Sequence, residues 1–146
     1  MKKNVKRFSI FIFVMVFLDQ ITKYIFLKNG KALAPVGEQN NAYYILVSII
    51  IVIMIIRYMS SNNTFIKSDT KIILSFATAG AIGNVIDRIL RGYVICFIKL
   101  GDFFNVNLAY IYVAISWIGM AAILTKNSYI FLKNSKEKRK KIEERK

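Results

Sequence analysis

Four apolar blocks, each long enough to cross a bilayer, constrain this chain more than any other feature. The hydrocarbon core is ~30 Å thick, so a crossing helix needs ~20 mostly apolar residues. Residues 8–27, 42–59, 72–90 and 108–124 meet that requirement and are separated by polar stretches. Hydrophobic residues make up 55% of the 146 positions, and their blocked arrangement predicts an all-α integral membrane bundle of four helices, with room for a small extracytoplasmic β element. In lipid a backbone must satisfy its own hydrogen bonds, which leaves helices as the economical solution for such blocks. The expected organisation is one membrane domain over residues 1–132 followed by a basic tail, residues 133–146.

The net charge of +14 would suggest nucleic acid in a soluble protein. Here the charge is concentrated at the ends, with Lys2, Lys3, Lys6 and Arg7 before the first block and K-E-K-R-K-K-I-E-E-R-K closing the chain. Basic flanks outside apolar spans answer to the positive-inside rule and to anionic headgroups. The tail also lacks the interleaved aromatics of a single-strand-binding platform, so no nucleic-acid partner is expected. Four spans put both termini on one side, and the basic ends place that side in the cytoplasm. Loops 28–41 and 91–107 then face outward. The tail is expected to be a solvated helix or a disordered arm near the lipid surface. Ala32-Leu33-Ala34 has the small residues of a signal-peptide cleavage site, but Pro35 follows close behind and the apolar run is long for an h-region. An uncleaved anchor is the expectation.

Histidine is absent, which removes Ser/His and Cys/His nucleophiles and most zinc sites. Cys96 stands alone, so no internal disulfide is available. Carboxylates, lysines and amides remain as the chemistry-bearing groups, and several lie inside the spans. A charge at the bilayer centre costs at least ~2.5 kcal/mol on insertion scales, so each such residue needs a partner or a purpose. Asp19 and Lys23 are four apart and can pair on one helix face. Asn84 and Asp87 share a face of the third span, with Arg88 beside them. The plain reading of this second group is a polar helix end, with Arg88 snorkelling as the counter-ion of Asp87. Small residues at Ala77, Ala79, Gly80, Ala81 and Gly83 predict that the third span packs centrally.

These residues fall into ordered blocks: D-Q-I-T-K (19–23), G-A-I-G-N-V-I-D-R (80–88), G-Y-V-I-C-F-I (92–98) and V-N-L-A-Y (106–110). Together they resemble the lipoprotein signal peptidase (signal peptidase II) family. Its patterns are D-x-x-T-K, G-N-x-x-D-R, G-x-V-x-D-F and F-N-x-A-D. The resemblance implies a bacterial inner-membrane aspartic endopeptidase, with no cofactor or metal, that removes signal peptides from prolipoproteins. The aspartates ending the last two patterns form that family's catalytic dyad, and their positions read Cys96 and Tyr110 here. Asp19, Lys23, Asn84, Asp87, Arg88 and Asn107 match positions with supporting roles. Val106, Val113 and Ser116 depart mildly from the pattern. Loop 28–41, about fourteen residues long, is shorter than the family's β-structured cradle, and Asn40-Asn41-Ala42-Tyr43-Tyr44 only faintly echoes its N-x-G-x-A-F motif.

Aspartic proteolysis needs two carboxylates sharing a proton. A thiol and a phenol, with reference pKa values of ~8.5 and ~10, cannot replace them at neutral pH. The resemblance therefore implies a monomeric, catalytically impaired relative that binds prolipoprotein signal helices in the lipid bilayer. Two alternatives stand beside it. One is an active peptidase with a displaced dyad of Asp87 and Asp102. The other is a membrane scaffold or lipid-binding protein that reuses the bundle.

Overall fold

The computed structural model describes residues 2–33, 41–60, 68–101 and 104–143. They form helices α1 (Lys2–Lys28), α2 (Asn41–Ser60), α3 (Ser68–Arg91) and α4 (Leu108–Glu143), with strands β1 (Ile98–Leu100) and β2 (Phe104–Val106) between α3 and α4. All four helices contain stretches long and apolar enough to cross a membrane. Their outer surface is apolar, with Phe13, Trp117 and Ile118 among the exposed side chains, as lipid contact requires.

α3 is the hub, touching each of the other helices, whereas α1 meets α4 only briefly. Its inner face buries Ser75, Thr78, Ala79, Gly80, Gly83, Asn84 and Asp87. Small side chains explain this position, because lipid supplies no hydrophobic drive between helices and close backbone approach must do the work. A Cβ on Gly80 would lie 2.5 Å from the Ala109 carbonyl oxygen of α4. One on Gly83 would lie 2.5 Å from Asp19 Oδ2 of α1. A methyl at Gly80 would collide with backbone, and one at Gly83 would have to displace the Asp19 carboxylate. Ser75 and Thr78, both buried, return their hydroxyls to the Lys71 and Leu74 carbonyls of their own helix.

Helix ends differ from the apolar boundaries. α1 begins within the basic N-terminus, and α4 runs on to Glu143 rather than stopping near 124. Lys, Glu and Arg are good helix formers, and the sequence from Lys126 onward contains no glycine or proline to stop the helix. At 1.5 Å per residue, the 36 residues of α4 span roughly 54 Å, well beyond the hydrocarbon thickness. Residues 133–143 are thus a continuation of the fourth helix.

β1 and β2 pair antiparallel, Ile98 opposite Val106 and Leu100 opposite Phe104. Leu33, following α1, bridges to Cys96 through its N–H to the Cys96 carbonyl at 2.8 Å. Phe26 of α1 stacks on Phe97 with ring centroids 4.4 Å apart. A small β cap is thereby tied to the end of the bundle where the polar residues gather.

Candidate functional site

Lys23, the largest fully buried side chain, lies at the centre of a polar network between α1, α3 and the start of α4. Its ammonium reaches Asp19 Oδ2 at 2.7 Å, Asp87 Oδ2 at 2.8 Å and Asn84 Oδ1 at 3.2 Å. An ammonium has three protons, and these three acceptors use them all. The i,i+4 pair expected from the sequence is therefore part of a three-way junction that includes the third helix.

Asp87 is equally saturated. Its Oδ1 accepts from Arg91 Nη1 at 2.7 Å and from Gln20 Nε2 at 3.3 Å. Its Oδ2 takes Lys23 and the Ile95 backbone N–H, the latter at 3.1 Å. A carboxylate offers about four lone-pair sites, so none remains for a substrate water. The counter-ions of Asp87 are thus Lys23 and Arg91, which corrects the expectation that Arg88 plays this part. Neighbouring helix residues point about 100° apart, whereas i and i+4 lie on one face. Arg88 instead covers the Tyr44 ring at 5.2 Å and lies close enough to Tyr110 to act on it electrostatically.

Asp19 and Asn107 hold the start of α4. Asn107 Oδ1 accepts from the Tyr110 backbone N–H at 2.9 Å, the N-cap geometry for a helix beginning at Leu108. Asp19 Oδ1 accepts from the Ala109 N–H at 2.9 Å, so a carboxylate on α1 satisfies a second open donor and meets the positive end of the helix dipole. The Asn107 amide also donates to Ile95 O at 2.8 Å and Asn84 Oδ1 at 3.1 Å. Two carboxylates, Lys23 and Arg91 sum to zero formal charge. No buried side-chain nitrogen or oxygen among the described residues lacks a partner.

Cys96 and Tyr110 border this network. Cys96 lies in the segment between α3 and β1, only 1% exposed, with Lys23, Asp87 and Asp19 close enough to act on it electrostatically. Burial pushes its thiol above the usual range. Tyr110, half-buried in the first turn of α4, lies within electrostatic reach of Cys96. Asp102, invoked for a displaced dyad, lies outside the described residues. Sequence reasoning missed Gln20, Arg91 and the Ile95 backbone. Arg91 was detectable as the i+4 partner of Asp87.

The family model for "Signal peptidase (SPase) II" matches residues 29–126, which contain the cap, Gly80, Gly83 and the α3 and α4 side of the network, with Asp19 and Lys23 of α1 lying before the matched stretch. The chain belongs to the signal peptidase II family. Among its relatives, a lipoprotein signal peptidase of Buchnera aphidicola subsp. Schizaphis graminum is 41% identical over 109 residues, covering 68% of this chain and 66% of that protein. One from Thermodesulfovibrio yellowstonii is 30% identical over 113 residues, covering 63% of this chain and 74% of its own length. A bacterial membrane enzyme solved by the in meso method at 2.3 Å resolution superposes with a TM-score of 0.73 at 23% identity. The superposition covers 84% of this chain and 90% of that one, and it shows a shared fold. The chain is a multi-pass bacterial membrane protein of a lipoprotein-processing family.

Proposed function

We propose that this chain is a signal peptidase II-family protein that binds prolipoprotein signal helices without cutting them. The observation that carries the reading is a contrast within one site. The bracing network of Asp19, Lys23, Asn84, Asp87 and Asn107 is complete, while the positions matched to the family's catalytic aspartates hold Cys96 and Tyr110. A general acid or base contributes ~10²–10⁴-fold each, so replacing both removes nearly all turnover. The saturated hydrogen bonding of Asp87 argues against a displaced dyad built on it. In this proposal the protein acts as a monomer in the inner membrane, with both termini cytoplasmic and the β cap outside.

Purified full-length chain, reconstituted in lipid with a lipid-modified prolipoprotein bearing a photo-crosslinker in its signal helix, tests the reading. The expected result is a crosslink to α3 or α4 with no cleaved product. Cleavage by the wild type would establish an active peptidase. Failure of both crosslinking and cleavage would favour a scaffold that reuses the bundle.

A further inference from the structure

At the end of the bundle opposite the polar network, α1, α2 and α3 leave two adjoining crevices that the site described above does not use. The larger, about 270 Å³, is lined by Arg7, Phe8, Phe11, Ser68 and Ile72. Its neighbour, about 50 Å³, shares Phe8 and adds Ile12, Ile56, Met59 and Lys71. A water needs only ~10–15 Å³, so the larger space is far beyond an ordinary packing defect.

The lining is sorted by chemistry. Arg7, Ser68 and Lys71 lie toward the helix ends, while Phe8, Phe11 and Ile72 supply apolar walls. Phe11 is fixed by an edge contact to Phe76, ring centroids 5.3 Å apart, and Phe76 in turn meets Tyr112 at 6.1 Å. Neither Arg7 nor Lys71 has an ion-pair partner among the described residues. Asp69 is exposed in the first turn of α3 and lines neither crevice. Arg7 and Ser68 beside the apolar wall of the larger crevice, with Lys71 on the smaller crevice that adjoins it across Phe8, complement a phosphate joined to an acyl chain.

We propose that the larger crevice, between the N-terminal half of α1 and the start of α3, binds one anionic phospholipid, its phosphate held by Arg7 with Lys71 reaching it from the adjoining crevice and its acyl chain against Phe8, Phe11 and Ile72. The lipid fills the space between α1 and α3 at an end where no buried ion pair among the described residues joins them. This site is independent of whether the opposite end of the molecule cuts or only binds signal helices.

The experiment is native mass spectrometry of the full-length chain released from nanodiscs containing equal phosphatidylglycerol and phosphatidylcholine. Wild type is expected to retain phosphatidylglycerol preferentially. The Arg7→Gln, Lys71→Gln double variant should weaken that preference by at least about tenfold. A Lys138→Gln, Arg139→Gln control, equal in charge removed but placed on the α4 extension, should retain it. Folding of each variant is verified by its melting curve in phosphatidylcholine alone. Absence of preference in wild type, equal loss in the control, or no loss in the double variant would overturn the proposal. Inorganic phosphate is expected not to displace the lipid, and full displacement would reassign the crevice to a free anion.

Discussion

Lys23 on α1 and Asp87 on α3 meet at 2.8 Å with both side chains completely buried, and this contact joins two motifs 64 residues apart. Lys23 is shared with Asp19, so its removal differs from the loss of either carboxylate. Lys23→Met would leave two buried carboxylates facing each other, with Arg91 covering only one of them. The expected loss is about 3–5 kcal/mol. Asp19→Asn keeps the acceptor for Ala109 and leaves Asp87 on Lys23, so its cost should be clearly smaller. The double variant should recover part of the Lys23→Met loss. Thermal unfolding in one detergent measures all three, and an Asp19→Asn loss equal to that of Lys23→Met would contradict the three-way junction.

Glycine at the α1–α3 crossing gives a second test. Gly83→Ala places a methyl 2.5 Å from Asp19 Oδ2, against a carboxylate already held by Lys23 and Ala109. Overpacking of this kind costs about 1–3 kcal/mol. At Gly119 the nearest atom is the end of the Ile73 side chain at 2.9 Å, which can rotate away. Gly119→Ala should therefore be much milder. Similar melting losses for the two would mean that the crossing is looser than described.

How much of this was legible in the sequence depends on the kind of contact. Four helices follow from the apolar blocks, and the Asp19–Lys23 pair follows from i,i+4 spacing. The central place of α3 follows from its small residues. The junction of Lys23 with Asp87 joins two helices, so no local spacing encodes it. Asp87 was matched with Arg88 because they are adjacent, although a helix turns adjacent side chains apart and brings Arg91 onto the same face. Ile95 contributes only backbone groups, which leave no mark in a residue pattern. Whether the tail is helix or disordered arm stays open in the sequence for a different reason. Loss of apolar character ends the membrane segment but gives the backbone no reason to leave the helix.

Cys96 provides a pH-dependent test. Burial raises its thiol pKa in the folded state, so folding favours the protonated form. The associated stability is fully present below the unfolded thiol's pKa of ~8.5 and is lost as pH rises through the higher folded value. Native protein at neutral pH should react with iodoacetamide far more slowly than denatured protein. Cys96→Ala should reduce the loss of melting temperature on the alkaline side. Fast alkylation of the native chain would show an accessible or activated thiol and would reopen the question of thiol chemistry.

The decisive prediction restores the two carboxylates. Asn107 and Asp19 fix the first turn of α4, and Asp87 with the Ile95 N–H fixes the segment leading to Cys96. Cys96→Asp and Tyr110→Asp would therefore enter a frame that is already held. An aspartate at position 110 lies in the first turn of α4, where the helix dipole favours negative charge. It also removes the ring from the space a water would need. Two carboxylates close together cannot both ionise easily, and their repulsion supplies an acid and a base at once. Each single variant should remain inactive on a lipid-modified prolipoprotein, because one carboxylate cannot fill both roles. The double variant should show weak cleavage, limited by the short loop at 28–41. Strong wild-type cleavage that survives Cys96→Ala and Tyr110→Phe would refute the loss of catalysis and require a different pair of groups.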